Sequence, residues 1–404
     1  MDTQSLIAQA LDSFRIEIPS WGFANTGTRF GKFLQPEAAT SLEEKFADAA
    51  EVHSLTGSCP TLALHVEWDL PNGRSDVPLI QALERQYGVR AGSINPNLFE
   101  RQEYEFGSIC NPDAAVRRMA LDHLLESVAL AKELRSPDVS IWLADGSNYP
   151  GTQSIRRRIG WMEEALAATH SALAPDQRLL IEYKPFEPAF YHTDIADWGM
   201  ALLLARHAGP QAVVLVDTGH HYQAQNIEQI VVWLLREGIL GGFHFNDRRY
   251  ADDDLTLGSI DPYQVFRIFH EILSFEAASA VQGREARSGC GAQPPAYMID
   301  QSHNLKGKLE AMVQTVCAAQ EIYARAALVD RGELAELQDA CRLVEAEECL
   351  RQAFWTDVRP AVRAWRKGHG LPEDPLTALR DSGYVERIRA ERGARNAKAV
   401  SSYA

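Results

Sequence analysis

Four segments of the chain decide its fold: IEYKP at residues 181–185, VDTGHH at 216–221, FHFND at 243–247 and MIDQSH at 298–303. Each ends an apolar run, typical of a buried strand, with acidic or imidazole side chains. Such groups are costly to bury without a partner, and a divalent cation is a partner that carboxylates and imidazoles share. The segments therefore predict buried strands whose ends hold a metal.

The rest of the chain alternates short apolar runs with longer periodic ones. The apolar runs predict eight strands, at Arg15 to Ile18, Thr61 to Trp68, Gly92 to Asn97, Val139 to Ala144, Leu179 to Tyr183, Val213 to Val216, Gly241 to Phe245 and Ala296 to Ile299. Apolar residues three and four apart predict helices at Asp113 to Leu134, Ser154 to Ala174, Thr193 to His207, Asn226 to Glu237, Asp261 to Leu273 and Asn304 to Val329. Eight such units close most simply into a barrel, so the predicted fold is α/β, a (β/α)8 TIM barrel.

Local signals mark where individual elements begin and end. Asp113 and Asn226 have side-chain oxygens suited to accept from the first-turn N–H groups of a helix. Asp261 precedes Pro262, which suits the first turn because its missing N–H is not needed there. The stretch from Phe275 to Pro295 is rich in Ala, Gly, Ser and Gln and lacks periodicity, so we predict a mobile surface insertion.

The chain after Val329 stays helical in pattern and shows no further strands. Its periodic stretches are Glu333 to Phe354, Thr356 to Lys367 and a last helix around Leu376 to Arg392. We therefore predict a catalytic barrel domain at residues 1–330 and a C-terminal helical extension at 331–404. The apolar positions of the extension, namely Leu334, Leu337, Leu343, Val344 and Leu350, need a surface to pack on. We expect a neighbouring subunit to supply it, and the chain's own barrel is the alternative.

Composition argues against several classes of function. The formal net charge is −15 over 404 residues, whereas nucleic acids are bound by clustered Lys and Arg, so we expect no nucleic-acid partner. No run approaches the roughly 18 apolar residues that cross a bilayer. Residues Met1 to Arg15 lack the pattern of a secretory signal. We therefore expect a small-molecule substrate, no membrane partner and a cytoplasmic location.

Seven acidic and imidazole side chains are candidate metal ligands, because a barrel places its active site at the carboxyl ends of its strands. Four of them fall on adjacent predicted strands: Glu182, Asp217, His244 and Asp300. Three carboxylates with one imidazole suit Mn, Zn or Co better than Mg or Ca. The other three lie shortly after Asp217 and His244 in the sequence and could hold a second cation beside the first: His220, Asp252 and Asp254. Taken singly, each Asp is more often a turn or helix cap and each His a core residue, so the prediction depends on their coincidence.

Further residues are predicted to line the same barrel mouth. Lys184 follows Glu182 by two positions, so both side chains point to one face of the strand. Its ammonium is suited to bind a substrate oxygen, or alternatively to pair with one of the excess carboxylates. His65 offers a proton donor. Trp68 and Trp142 offer flat apolar walls of the kind on which sugar rings stack, and packing of the tryptophans in the core is the alternative.

Short motifs in fixed order along nearly the whole chain point to a family. They are IPSW (18–21), GTRF (27–30), LH (64–65), WD (68–69), DGSNYPG (145–151), EYKP (182–185), DTGHH (217–221), HFND (244–247) and IDQSHN (299–304). With these motifs the chain resembles the L-rhamnose isomerases, specifically the bacterial branch with broad aldose specificity, and more distantly the xylose isomerases.

The resemblance implies a homotetrameric isomerase that interconverts L-rhamnose and L-rhamnulose, tolerates other aldoses and needs no organic cofactor. It implies two divalent cations, often Mn²⁺, and a hydride shift from C2 to C1 of the opened sugar. It assigns Glu182, Asp217, His244 and Asp300 to a structural cation, and His220, Asp252 and Asp254 to a catalytic one. We accordingly predict His220, Asp300 and Lys184 as catalytic residues, and His65, Trp68, Trp142 and Lys184 as substrate-binding residues.

Four alternatives differ in what they require. A ketose 3-epimerase uses a similar barrel with one metal and an acidic pair, whereas His220, Asp252 and Asp254 supply a second ligand set. An isomerase preferring another aldose has the same ligands, and the shape of the pocket decides between sugars. A barrel endonuclease needs a basic groove, which the net charge of −15 disfavours. A non-catalytic metal-binding scaffold would show no metal-dependent turnover.

Overall fold

A single sheet of eight parallel strands, each paired with the next along the chain, forms the centre of the molecule. This computed structural model describes residues 2–25, 33–146, 149, 151–186, 192–281, 293–303 and 305–397. The strands are β1 (Ile18–Pro19), β2 (Thr61–His65), β3 (Arg90–Asn95), β4 (Asp138–Ile141), β5 (Arg178–Glu182), β6 (Ala212–Asp217), β7 (Leu240–Phe245) and β8 (Ala296–Ile299). Glu17 N–H donates to Tyr297 O and Ile299 N–H donates to Glu17 O, both at 2.8 Å, which joins the first strand to the last. The predicted (β/α)8 TIM barrel is confirmed.

Helices follow the strands and form the outer layer. They are α1 (Thr3–Ser13), α2 (Leu42–Thr56), α3 (Val66–Asp69), α4 (Val77–Tyr87), α5 (Ala114–Leu134), α6 (Ile155–Ser171), α7 (Trp198–Ala208), α8 (Ile227–Arg236), α9 (Pro262–Val281), α10 (Lys308–Ala327), α11 (Arg331–Asp339), α12 (Leu343–Trp355), α13 (Arg359–Gly368), α14 (Pro375–Asp381) and α15 (Tyr384–Asn396). The predicted caps are confirmed: Asp113 accepts from Ala115 N–H at 2.8 Å and Asn226 from Gln229 N–H at 2.9 Å. α9 begins at Pro262, also as predicted.

The second predicted strand, Thr61 to Trp68, is wrong at its end. β2 stops at His65, and the following residues form the helical turn α3. The Asp69 carboxylate accepts a hydrogen bond from His65 N–H at 2.8 Å, which turns the chain out of the ladder. Trp68 therefore lies on a helical turn after the strand. β1 is also displaced, because its ladder with β2 begins at Ile18 rather than Arg15.

Two predicted helix boundaries are wrong as well. α9 continues to Val281 instead of ending at Leu273, because Glu and Ala, both good helix formers, fill the start of the predicted insertion. α7 begins at Trp198 rather than at Thr193, because Asp197 caps its start by accepting a hydrogen bond from Met200 N–H at 2.9 Å. Most of the insertion, with Cys290, lies outside the described residues. The described residues also leave out the whole GTRF motif, Asn304, and Ser147, Asn148 and Pro150 of the DGSNYPG motif.

The C-terminal extension consists of α11 to α15. The single helix predicted from Glu333 to Phe354 is two helices, separated by a turn in which Cys341 has a φ of 53°. Phe354 packs its ring on Phe266 of α9, with centroids 5.4 Å apart. Leu343, Val344 and Trp355 are more than two-thirds exposed. The barrel of the same chain thus covers part of this extension, and packing on a neighbouring subunit stays a prediction.

The last helix is tied to the helix that follows β1. Arg392 of α15 forms a buried ion pair with Asp48 of α2 at 2.7 Å, and Tyr384 O–H donates to the same carboxylate at 2.9 Å.

In the barrel, parallel strands are covered on both faces, so Leu179, Leu180 and Ile181 of β5 are all fully buried. In the part of the chain that the structure describes, no helix has the length and apolar character needed to span a membrane.

Candidate metal centre

Glu182, Asp217, His244 and Asp300 converge at the carboxyl ends of β5 to β8. Each offers one ligand atom, and these atoms lie within 4.8 Å of one another. The register explains the convergence, because Asp217 and His244 are direct partners in the ladder between β6 and β7. Asp217 is fully buried and Glu182 and His244 are nearly so. Three carboxylates and one imidazole therefore share a site in which only Asp300 is partly exposed.

Asp217, His220 and Asp252 form a second cluster, which shares Asp217 with the first. Tyr183 O can only accept, so at 3.0 Å from His220 Nδ1 it fixes that nitrogen as the donor. In the neutral ring Nε2 is then free to bind a cation, and it lies 3.4 Å from Asp252 and 3.8 Å from Asp217. Asp254, with a φ of 49°, lines the same pocket but does not belong to this cluster.

The donors of the first cluster fit a divalent cation. Glu182 Oε1 and His244 Nδ1 form a buried ion pair at 3.2 Å, but among the described residues neither atom makes a hydrogen bond. Buried polar atoms are rarely left in this state, because each loses the free energy of its contacts with water. A cation between the carboxylates and the imidazole would satisfy both atoms, and the mixed oxygen and nitrogen set suits Mn, Zn or Co.

The clustered charges shift the pKa values of their members in opposite directions. Burial and the carboxylates of Glu182, Asp252 and Asp300 raise the pKa of Asp217 to about 7, against the opposing effect of His220. Burial lowers the pKa of His244, but Glu182 outweighs it and raises that pKa to about 9. Burial would raise the pKa of Glu182, yet His244 and His220 hold it below its usual range. The imidazoles thus carry protons that a bound cation must displace.

Metal affinity is therefore expected to rise with pH. Below the pKa of His244, about 9, binding releases a proton, so the apparent association constant increases by up to about tenfold per pH unit for each proton released. Calorimetric titration with Mn²⁺ in buffers of different ionisation enthalpy measures the protons released at each pH. His207→Gln, which removes an exposed histidine on α7, serves as the control and should leave the release unchanged. A constant affinity between pH 6 and 9 with no proton release would refute this expectation.

Two residues that lie in the motifs quoted above, but to which the sequence analysis gave no role, hold the candidate ligands in place. Asn246 donates through Nδ2 to both carboxylate oxygens of Asp217, at 3.0 and 3.2 Å. Trp21 Nε1 donates to Asp300 Oδ1 at 2.8 Å. The period of two along β7 puts Asn246 on the face of His244, which is a signal that a sequence reading can use. Trp21 lies in a short 3-10 turn after β1, where no periodicity marks it.

Lys184 lies at the edge of the second cluster. Its Nζ donates to Asp252 Oδ2 at 2.6 Å and lies 5.2 Å from the centroid of the Trp142 ring. The ammonium therefore joins the acidic cluster to the aromatic side of the pocket, and the salt bridge that the sequence left as an alternative is present.

The pocket over the clusters has an aromatic wall made by Trp21, Trp68, Phe99 and Trp142. His65 lies between two of these rings, with centroids 4.7 Å from Trp21 and 4.2 Å from Trp68. Asn97 Oδ1 accepts from Glu67 N–H at 3.0 Å and lies 3.3 Å from His65 Nδ1, so this nitrogen is the donor. Burial lowers the pKa of His65 to about 4. His65 is thus a neutral ring whose Nε2 is a hydrogen-bond acceptor.

Comparison with known proteins places the chain in a family. Residues 59–280 match the model of the xylose isomerase-like TIM barrel. The chain is 38% identical over 387 residues to a probable sugar isomerase of Rhizobium meliloti, covering 95% of this chain and 87% of that protein.

Solved structures agree at the level of the fold. A xylose isomerase domain protein from Alicyclobacillus acidocaldarius is similar with a TM-score of 0.54 at 14% identity, covering 78% of this chain and 99% of the other. A D-allulose 3-epimerase from Methylomonas has a TM-score of 0.51 at 14% identity, covering 75% and 96%. At these identities the likeness extends to the barrel alone.

Proposed function

The chain belongs to the xylose isomerase-like TIM barrel family, and on that premise we propose that it is a metal-dependent aldose–ketose isomerase. The observation that carries the proposal is the pair of clusters that share Asp217 in one pocket. We further propose L-rhamnose as the preferred substrate, with other aldoses accepted, on the resemblance of the motifs described above. The homotetramer and the cytoplasmic location expected from the sequence stay predictions.

The ligands divide between two neighbouring cations in this proposal. Glu182, Asp217, His244 and Asp300 hold one of them, and His220 with Asp252 and Asp254 holds the other. Cations at these positions, Mn²⁺ or alternatively Zn²⁺ or Co²⁺, would polarise two adjacent oxygens of the sugar and lower the pKa of a water molecule. Asp217, common to both clusters, is the residue that could contribute a ligand to either cation.

The remaining pocket residues act on the sugar directly. The Lys184 ammonium is positioned to donate to a sugar oxygen and to stabilise negative charge that develops there, as a catalytic group. The Nε2 atom of neutral His65 accepts a hydrogen bond from a sugar hydroxyl. Trp68 and Trp142 bind the apolar face of the carbon chain. Trp21 Nε1 holds Asp300 by a hydrogen bond at 2.8 Å, and hydride transfer between C2 and C1 is the reaction route that we propose.

A panel of aldoses tests the proposal. With Mn²⁺ present, we expect L-rhamnose to give its ketose with the highest kcat/KM, detected by a ketose-specific assay. In deuterium oxide the hydride shift leaves C1 of the product free of deuterium, as measured by NMR. Stoichiometric deuterium at C1 would replace the hydride shift with an enediol route. If no aldose is converted by the metal-loaded protein, the isomerase proposal is wrong.

The ketose 3-epimerase alternative is separated by the same assay. An epimerase would convert a ketose to its C3 epimer without forming an aldose, and it would need one cation only. The second cluster of Asp217, His220 and Asp252 favours the isomerase, because a single-cation enzyme has no use for it.

A further inference from the structure

Two buried polar atoms in the wall of the pocket make no hydrogen bond within the part of the chain that the structure describes. Ser140, on β4, is 2% exposed, and its hydroxyl makes no hydrogen bond to any described residue. The indole N–H of Trp142, two residues further along, is buried and equally without a partner in the described part of the chain. Both residues line the pocket. Because buried hydroxyl and N–H groups are normally paired, these two point to a ligand group that binds them.

The strand register locates this pair of atoms relative to the metal ligands. Ile94 of β3 is the ladder partner of Val139, so the next residues, Asn95 and Ser140, are neighbours on adjacent strands. Asn95 Nδ2 donates to Leu64 O at 3.2 Å and is therefore committed to the backbone. The metal ligands follow β5 to β8, whereas Ser140 belongs to β4. Ser140 and Trp142 line the same pocket as the candidate metal ligands, so the far end of a sugar whose reacting carbons lie at those ligands can reach them.

We propose that Ser140 Oγ and Trp142 Nε1 form a subsite for a hydroxyl group at the end of the sugar chain away from the reacting carbons. The inference rests on the proposed isomerase function and identifies, among the aldoses accepted besides L-rhamnose, those that carry a hydroxyl at that end. Trp142 donates to the sugar oxygen, and Ser140 can accept the proton of the same hydroxyl. With a sugar that lacks this hydroxyl the two protein groups stay unpaired and add nothing to its binding, so the subsite raises the kcat/KM only of aldoses that carry the hydroxyl.

Two sugars that differ only in this hydroxyl test the subsite. L-Rhamnose is the 6-deoxy form of L-mannose, so the pair isolates the terminal oxygen. In Ser140→Ala we expect the ratio of kcat/KM for L-mannose to that for L-rhamnose to fall roughly fivefold to tenfold, as for loss of one neutral hydrogen bond. Ser140→Thr keeps a hydroxyl and should keep the ratio. Ser136→Ala removes another buried hydroxyl just before β4, where it donates to Asp138 O at 3.0 Å, and is the matched control.

Dissociation constants measured through tryptophan fluorescence on the same Mn²⁺-loaded proteins separate the two proposals. If the unmodified protein binds both sugars but converts neither, the isomerase proposal is wrong. The subsite is then tested by the ratio of the dissociation constants for L-mannose and L-rhamnose. An unchanged ratio in Ser140→Ala overturns the subsite and leaves the isomerase function intact. An equal fall of the ratio in Ser136→Ala, or no binding of either sugar, also overturns it.

Discussion

Asp217→Asn is expected to lower isomerase activity on the order of 10³-fold or more while leaving the fold intact. Asp217 is the one residue common to both clusters, so the substitution removes a charged ligand from each. Asparagine has nearly the same shape and can still accept from Gly219 N–H, which donates to Asp217 Oδ1 at 2.6 Å. Mn²⁺ affinity, measured by calorimetry, is expected to fall about a hundredfold or more.

In the absence of metal, Asp217→Asn is expected to keep or raise the stability of the protein, whereas it lowers activity and metal affinity. Burial and neighbouring carboxylates raise the pKa of Asp217 to about 7, so in the metal-free protein its ionised form opposes folding above the ordinary pKa of the group. Replacing it with a neutral side chain removes that repulsion. Thermal denaturation at pH 8 should therefore give a Tm for metal-free Asp217→Asn at or above that of the unmodified protein.

A matched control separates loss of a ligand from loss of one negative charge. Asp261→Asn makes the same chemical change at the start of α9, where Asp261 accepts from Gln264 N–H at 2.9 Å. Asparagine caps helices as well as aspartate does, so activity and metal affinity should stay unchanged. Activity retained in Asp217→Asn within about tenfold would show that Asp217 does not ligate a catalytic cation.

The barrel and the first cluster could be predicted because both follow from strand periodicity. β5, β6 and β7 are continuous apolar runs, and an acidic or imidazole residue at the end of each must lie at one rim once the strands are parallel. The convergence of Glu182, Asp217 and His244 is therefore a consequence of topology. Their assignment as metal ligands rests on charge and on the unpaired atoms, and it stays a prediction.

Residues held by contacts far along the chain could not be predicted in this way. Trp21 and Asp300 are 279 positions apart and meet only because the barrel closes between β1 and β8. Likewise, Asp69 at the end of the helical turn α3 pairs with Lys45 of α2 at 2.5 Å, a contact that no local pattern encodes. The unpaired hydroxyl of Ser140 is visible only once the positions of its neighbours are known.

Dialysis against a chelator is expected to abolish isomerase activity and to lower the Tm by several degrees. Without cations, the carboxylates of the two clusters repel one another, and among the described residues Glu182 Oε1 makes no hydrogen bond. A cation at a hundredfold excess over its dissociation constant stabilises the folded state by about 2.7 kcal/mol per site, so its removal lowers the Tm.

Adding back single metals tests the composition of the clusters. Mn²⁺, Co²⁺ or Zn²⁺ should restore the Tm because His220 and His244 supply nitrogen ligands, whereas Ca²⁺, which prefers oxygen ligands alone, should restore it poorly. Mn²⁺ is expected to restore activity as well. Asp217→Asn should show a much smaller Tm response to any of these ions, because both clusters have lost the same ligand. Full activity in protein shown by elemental analysis to be free of metal would contradict the two-cation proposal, since the carboxylates and imidazoles would then act without a cation.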